Sequence, residues 1–228
     1  RCIVGTRGLS AAAETQLARE HAEHADIERI DASDFNVAGG IYSCIDKLFE
    51  WFRHAPRAYP GAAWYAKADD DSLVDIPRLV AHLAPAKAER NVYAGFVQYD
   101  SLILDEWKHC GWADNAVGAV VGKEHGCPVG RSAGPFPFVV GALTIMGGDL
   151  ARSFSASPYI AHLVERGRSS QGTRRHWDCG YSDVTLGYAL ASANVTGGVT
   201  LLNLPDAFKD ATYGAMRSDR YLVYHHLR

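Results

Sequence analysis

The sequence predicts an α/β fold in one domain, with a mostly parallel sheet flanked by helices. Short buried strands alternate with helical stretches through residue 97, which is the order of a parallel sheet with crossover helices. The chain has 228 residues, enough for one substantial core. Apolar residues make up 47% and charged residues 21% of the chain, as in ordinary globular proteins.

The first seven predicted elements carry this alternation. The strongest helical signal places apolar residues from Ile41 to Phe52 at the spacing of one helix face. Asp75 and Pro77 mark the start of another helix as its N-cap and first-turn proline. In order, the elements are strand 2–6, helix 10–24, strand 27–30, helix 41–52, strand 64–68, helix 76–83 and strand 92–97.

The second half has a different character. Residues 98–137 are rich in glycine and are predicted to be irregular, with Trp107 and Trp112 either stacking on sugar faces or holding the loop to the core. A buried strand interrupted at Gly141 follows. The remaining predicted elements are strand 138–146, helices 149–154 and 158–166, a helix containing Asp183, and strand 221–226.

Three consecutive carboxylates, Asp69, Asp70 and Asp71, follow the third strand directly. In an extended backbone Asp69 and Asp71 share a face and Asp70 points away. Two carboxylates held together favour a cation between them, and oxygen ligands suit magnesium, manganese or calcium. A solvated turn or a helix cap is the alternative for such a cluster. The sequence contains neither Gly-x-Gly-x-x-Gly nor a P-loop, so a bound phosphate would have to be held by metal.

The charge, the cysteines and the glycosylation sequon limit which partners and which cellular compartment the protein can have. The formal charge of −3 leaves no basic field for a nucleic acid, and no apolar run is long enough to span a bilayer. Because the chain opens on Arg1, we expect an excised domain with a targeting sequence upstream. In an oxidising compartment Cys110 and Cys127 are the first expected disulfide, and one of the five cysteines stays unpaired. The single glycosylation sequon begins at Asn194 and matters only in a secreted chain.

Four segments, in this order, resemble the inverting β-1,3-glycosyltransferases, which include β-1,3-galactosyltransferases, β-1,3-N-acetylglucosaminyltransferases and Fringe-like enzymes. Each is similar to one of the family's signatures: Lys-x-Asp-Asp-Asp, Pro-x-Tyr-x-x-Gly-Gly with the helix start after it, Glu/Asp-Asp-Val-x-x-Gly, and a closing histidine segment. The segments are Tyr65-Ala66-Lys67-Ala68-Asp69-Asp70-Asp71, Pro137-Phe138-Val139-Val140-Gly141-Ala142 with Gly148-Asp149-Leu150-Ala151, Ser182-Asp183-Val184-Thr185-Leu186-Gly187, and Tyr224-His225-His226-Leu227.

The resemblance implies a glycosyltransferase A-type fold, with a nucleotide-binding half at about 1–97 and an acceptor-binding half at about 98–228. It implies UDP-sugar transfer to a glycan or glycoprotein hydroxyl, with Mn²⁺ or Mg²⁺ stabilising the leaving diphosphate. Asp183 is the expected general base. The metal ligands are Asp69, Asp71 and one of two histidines, with His226 favoured over His225 by its place in the motif. Residues expected to line the nucleotide-sugar site are Gly5, Thr6, Lys67, Asp69, Asp70 and Gly141.

The same resemblance implies a catalytic domain in the Golgi lumen behind an upstream signal anchor. Ser182 and Ala142 depart from the family pattern, and the family's N-terminal Arg/Trp element is absent or truncated. Two other functions therefore stay open. One is a phosphatase of the haloacid-dehalogenase type, which also places Asp-x-Asp after a strand and uses one Asp as nucleophile. The other is a carbohydrate-binding descendant of the family without catalytic activity.

Overall fold

The computed structural model describes residues 1–33, 44–106, 108–114, 119–120, 127–169, 182–204, 208–210 and 221–225, and these form a mixed α/β structure. The helices are α1 (Ala11–His24), α2 (Cys44–Ala58), α3 (Ile76–Leu83), α4 (Gly148–Ala156), α5 (Pro158–Ser169) and α6 (Ser182–Ser192). The strands are β1 (Cys2–Arg7), β2 (Ile27–Ser33), β3 (Trp64–Ala68), β4 (Leu73–Val74), β5 (Val92–Gly95), β6 (Val97–Ile103), β7 (Lys108–Asp114), β8 (Ala119–Val120), β9 (Ser132–Val139), β10 (Leu143–Gly147), β11 (Thr200–Asn203), β12 (Phe208–Asp210) and β13 (Val223–His225).

Within the described residues the strands form four hydrogen-bonded groups, with the orders β1-β2, β11-β5-β10-β3, β12-β13-β4 and β8-β7-β6-β9. The prediction of a mostly parallel sheet is wrong for the described strands. β10 runs antiparallel to both β3 and β5, and the group from β6 to β9 is antiparallel throughout. Apolar runs identify buried strands but carry no information about their direction, so the sequence could not show that β10 runs opposite to its neighbours.

The prediction that residues 98–137 are irregular is also wrong. This region contributes β7, β8 and most of β6 and β9 to one antiparallel sheet, in which Val97 pairs with Val139 and Ile103 with Lys108. Prolines and glycines within these strands break the alternation by which isolated strands are recognised. Trp107 and the side chain of Trp112 lie outside the described residues, so the two roles proposed for them stay untested.

Local capping signals place two helices as predicted. α3 covers Ile76–Leu83, the predicted range, and the Asp75 carboxylate accepts a hydrogen bond from the Arg78 backbone N–H at 3.1 Å. The Ser10 hydroxyl accepts from the Ala13 N–H at the start of α1. No described helix is both long and apolar enough to cross a membrane.

The largest part of the core lies between α2, α4 and the central sheet. The apolar face of α2 is buried as its spacing predicts, with Phe49 and Phe52 fully inaccessible and both in contact with Phe154 of α4. Burying one such side chain contributes about 1.5–3 kcal/mol to folding. Ile41, at the predicted start of this helix, lies outside the described residues.

A buried carboxylate ties the β1-β2 pair to the helices. Asp46 of α2 has no exposed surface and accepts hydrogen bonds from the Ser33 N–H and from Arg168 Nε, both at 2.8 Å. Arg168 also lies 3.1 Å from Glu50, so the positive charge of Arg168 compensates a carboxylate that would be costly to bury alone.

The central sheet takes β3 and β5 from the predicted nucleotide-binding half of the chain and β10 and β11 from the predicted acceptor-binding half. The two halves therefore share one sheet.

Candidate active site

The acidic triplet folds into a turn at the end of β3. The Ser72 N–H donates to the Asp69 carbonyl at 3.1 Å, which closes a four-residue turn over Asp69, Asp70 and Asp71. Asp70 is exposed, whereas Asp69 and Asp71 are partly buried. Asp69 and Asp71 therefore lie on one side of the backbone, as predicted. The turn places them there, whereas the prediction assumed an extended backbone.

A histidine from the far end of the chain completes this cluster. β13 pairs antiparallel with β4, with Tyr224 opposite Leu73, so the ladder brings His225 back to the triplet. His225 Nε2 lies 3.4 Å from Asp69 Oδ2 and 3.4 Å from Asp71 Oδ1. Within β13 the buried Val223 and His225 share a face, because strand side chains alternate.

These three side chains form a donor set suited to a divalent cation. One ligand atom from each of Asp69, Asp71 and His225 lies within 4.8 Å of the other two. Carboxylate oxygens and an imidazole nitrogen are common ligands of divalent metal ions, and three protein ligands leave further coordination positions open. The side chains are 33%, 37% and 14% exposed, so the cluster is reachable from solvent.

Lys67 links this cluster to the loop between β9 and β10. Its Nζ donates to Asp69 Oδ1 and, at 2.9 Å, to the Gly141 carbonyl. The Asp69 N–H donates to the Ala142 carbonyl at 3.3 Å, so backbone and side chain together hold the loop against the end of β3. Lys67, which is expected to line the nucleotide-sugar site, therefore contacts both the carboxylate cluster and the Gly141 loop.

Asp183 reaches the same loop from the first turn of α6. Its Oδ2 accepts from the Gly141 N–H at 3.1 Å, and its Oδ1 accepts from the Val184 N–H at 2.9 Å. A Cβ placed on Gly141 would lie 3.7 Å from Asp183 Oδ2 and 3.8 Å from Asp69 Oδ2. The metal-type cluster and the predicted base therefore border one small space beside Gly141.

Glycine at position 187 allows α6 to approach β9 closely. A Cβ there would lie 2.5 Å from Phe138 Cβ and 2.6 Å from the Pro137 carbonyl oxygen, well inside van der Waals contact. Phe138 and Val184 are both buried in the small core between α6 and β9. The glycine that ends the Asp-Val-x-x-Gly stretch therefore sets how near Asp183 comes to Gly141.

The environment of Asp183 shifts its protonation. Removal from water raises the pKa of this carboxyl above its ordinary value, although hydrogen bonds from the Val184 and Gly141 N–H groups and the charge of Lys67 act in the opposite direction. Tyr93 is fully buried nearby, and its hydroxyl accepts from the Val139 N–H at 3.2 Å. Burial also raises the pKa of the Tyr93 phenol, so this group stays neutral.

No protein-family model matches the chain, and no curated protein matches it.

The remaining predicted site residues lie in different places. Gly5 and Thr6 are in β1, where the Thr6 hydroxyl donates to the Ile30 carbonyl at 3.0 Å, on a ladder separate from that of β3. Asp70 is at the exposed tip of the turn. His226, the favoured histidine, lies outside the described residues, and His225 is the imidazole beside the carboxylates. The sequence pattern alone does not distinguish the two histidines, because Leu222 and Val223, on opposite faces of the strand, are both apolar and both buried.

Proposed function

We propose that the chain is a metal-dependent inverting hexosyltransferase, which moves a sugar from a UDP-sugar to a hydroxyl of a glycan or glycoprotein and forms a β-1,3 linkage. The observation that carries the proposal is the position of Gly141, which borders both the Asp69, Asp71 and His225 cluster and the Asp183 carboxylate. An inverting displacement needs these two chemistries on opposite sides of one sugar ring: charge stabilisation at the leaving group and a base at the acceptor.

Asp69, Asp71 and His225 would hold the divalent cation, Mn²⁺ or Mg²⁺. When bound, such an ion supplies positive charge to the diphosphate as the anomeric C–O bond breaks. Lys67 holds Asp69 in place through its Nζ and fixes the Gly141 carbonyl at the same time. Asp183, oriented by the Gly141 and Val184 N–H groups, accepts the proton of the acceptor hydroxyl as that oxygen attacks the anomeric carbon.

The proposed setting is the Golgi lumen, behind an upstream anchor. The disulfide between Cys110 and Cys127 supports an oxidising compartment, where such bonds persist. A phosphatase of the haloacid-dehalogenase type would instead release inorganic phosphate from phosphorylated substrates without a sugar acceptor. A phosphate-release assay on the purified chain separates these reactions.

The first test concerns the base. We expect Asp183→Asn to lower sugar transfer about 10²–10⁴-fold, the usual contribution of a general base, while metal-dependent UDP binding is retained. Transfer from a panel of UDP-sugars and UDP affinity by calorimetry are measured on the same preparation. Glu20→Gln, an exposed carboxylate change on α1, serves as the matched control. Undiminished turnover in Asp183→Asn would remove the base assignment.

The second test concerns the cation. We expect Asp71→Ala and His225→Ala each to abolish the Mn²⁺-dependent part of UDP binding, because each removes one donor from a cluster of three. Calorimetry with and without chelator measures that part directly. His226→Ala is measured in the same way. If His226→Ala abolishes the Mn²⁺-dependent part of UDP binding and His225→Ala does not, His226 is the metal ligand, as its position in the motif predicts. Equally tight UDP binding in chelator would contradict a metal-dependent site.

A further inference from the structure

The one glycosylation sequon of the chain, Asn194-Val195-Thr196, lies in an exposed turn directly after α6. Asn194 and Thr196 are both exposed, and Val195 between them is partly buried against the core. Asn194 has a φ of 47°, the left-handed conformation that asparagine adopts more readily than most residues. The acceptor amide and the recognised hydroxyl are therefore both on the surface of the folded chain.

This turn is anchored by hydrogen bonds that do not use the sequon's side chains. Asn91 Nδ2 donates to the Thr196 carbonyl at 2.9 Å and to the Gly198 carbonyl at 3.0 Å. The Asn91 carbonyl in turn accepts from the Thr200 N–H at the start of β11. A group attached to Asn194 would leave this backbone anchoring intact.

The turn lies at the end of the central sheet opposite the candidate active site. Thr200 pairs with Val92, and a Cβ on Gly147 would lie 3.4 Å from Val92 and 3.5 Å from Trp64, the first residue of β3. Asp69 follows the last residue of β3, roughly 16 Å further along the strand at about 3.3 Å per residue. A bulky group on Asn194 therefore does not cover the space beside Gly141.

A second and independent observation points to the compartment in which such sequons are modified. Cys110 is buried and bonded to Cys127, across a sequence separation of 17 residues. Disulfides that include a buried cysteine are typical of proteins that fold in an oxidising compartment, where N-glycosylation also takes place.

We infer that Asn194 is an N-glycosylation site. The donor is an oligosaccharide carried on a lipid diphosphate, and a membrane-bound oligosaccharyltransferase performs the transfer. Asn194 Nδ2 forms a bond to the anomeric carbon of the oligosaccharide and loses one proton to the transferase. The bond from that carbon to the diphosphate breaks, and its electron pair leaves with the lipid diphosphate. The inference does not depend on the proposed function, because the sequon is remote from the catalytic cluster.

The test expresses the chain behind a secretion signal in a eukaryotic cell that performs N-glycosylation. Secreted and retained chains are treated with peptide-N-glycosidase in ¹⁸O-labelled water, and peptides are identified by mass spectrometry. We expect ¹⁸O-labelled Asp at position 194 in the wild-type chain and in Thr196→Ser, which keeps the sequon. We expect none in Asn194→Gln or Thr196→Val, and the mobility shift on deglycosylation disappears in both.

An unmodified Asn194 in wild-type chain whose Cys110–Cys127 bond has formed would overturn the inference, and thiol labelling of the same sample establishes the bond. Sugar transfer by Asn194→Gln is measured in parallel and is expected to equal that of the wild type. Loss of the glycan without loss of transfer separates this site from the proposed catalytic one. A chain that carries the glycan but transfers no sugar would refute only the proposed function.

Discussion

At the residue scale, the protonation of Asp183 predicts how the proposed activity depends on pH. Burial raises the pKa of this carboxyl above its ordinary 3.8, and the charge of Lys67 lowers it in part. A base acts in its ionised form, so activity should rise as pH increases through the folded-state pKa. Because that pKa is raised, the stability contributed by Asp183 is fully present below pH 3.8 and is lost as pH rises through the folded-state value.

We expect Lys67→Met to move the acidic limb of the kcat/KM profile to higher pH, because it removes a positive charge that favours the Asp183 carboxylate. Lys67→Arg keeps the charge and should leave the limb nearer its original position. The profiles are measured at saturating Mn²⁺ so that any change in metal affinity does not enter the comparison. If the acidic limb of the kcat/KM profile lies at the same pH in Lys67→Met and in the wild type, the charge of Lys67 does not affect the pKa of the proposed base.

The sequence predicted Asp69, Asp71 and Asp183 as members of the site. The structure brings Asp69 and Asp183 to the Gly141 loop and places Asp71 next to His225, which also contacts Asp69. The histidine was harder to assign, because two adjacent imidazoles differ only in the strand face that each occupies. The family resemblance implied that Thr6, at the end of the first strand, lies near a nucleotide, and in the structure its hydroxyl donates to a carbonyl within the β1-β2 pair. Position at a strand end indicates a site only where strands of one sheet end together.

At the element scale, the packing of α6 against β9 decides where Asp183 lies. We expect Gly187→Ala to lower the free energy of unfolding by about 1–3 kcal/mol, the usual cost of overpacking, because the added Cβ meets Phe138 and the Pro137 backbone. Sugar transfer should fall further than the loss of stability explains, since α6 carries Asp183, the proposed base. Chemical unfolding and transfer assays measure the two effects.

Gly61→Ala is the control for that change, because Gly61 has open space around its Cβ position. Its unfolding free energy should stay within about 0.5 kcal/mol of the wild type, as for other surface substitutions. An equal stability of Gly187→Ala and Gly61→Ala would mean that α6 can move away from β9 at no cost, and the close approach would then not be what positions Asp183.

Helices were predictable to the extent that their signals are local. α3 has its cap, first-turn proline and apolar face within ten residues, and its predicted range is the observed one. The sheet from β6 to β9 depends on pairings such as Val97 with Val139, which no local window contains. These strands could not be predicted from the local sequence, because their formation depends on side-chain packing against partner strands.

At the scale of the whole molecule, the Cys110–Cys127 bond constrains the antiparallel sheet that leads into the Gly141 loop. We expect the double change Cys110→Ala and Cys127→Ala to lower the free energy of unfolding by roughly 3 kcal/mol, the loop-closure estimate for a loop of this length. Urea unfolding without reductant gives the value. Cys2→Ser, at an exposed free thiol, should change it little. A double variant as stable as the wild type would show that the bond does not constrain the unfolded chain.

The overall class was predictable from composition and from the alternation of strands and helices, but the topology was not. Insertion of β10 between β3 and β5 depends on contacts between residues such as Leu143 and Ala68, which are far apart in the chain. The pairing of Cys110 with Cys127 was predicted for an oxidising setting, and the structure contains that bond.

The ladder between β4 and β13 has two residue pairs, Leu73 with Tyr224 and Val74 with Val223, and together with the pairing of β12 and β13 it aligns His225 with the carboxylates just before β4. Slippage of β13 by one position would turn His225 to the opposite face and offer His226 in its place. The register of β13 therefore decides which imidazole lies beside the carboxylates, and His226 does not replace His225 while that register holds.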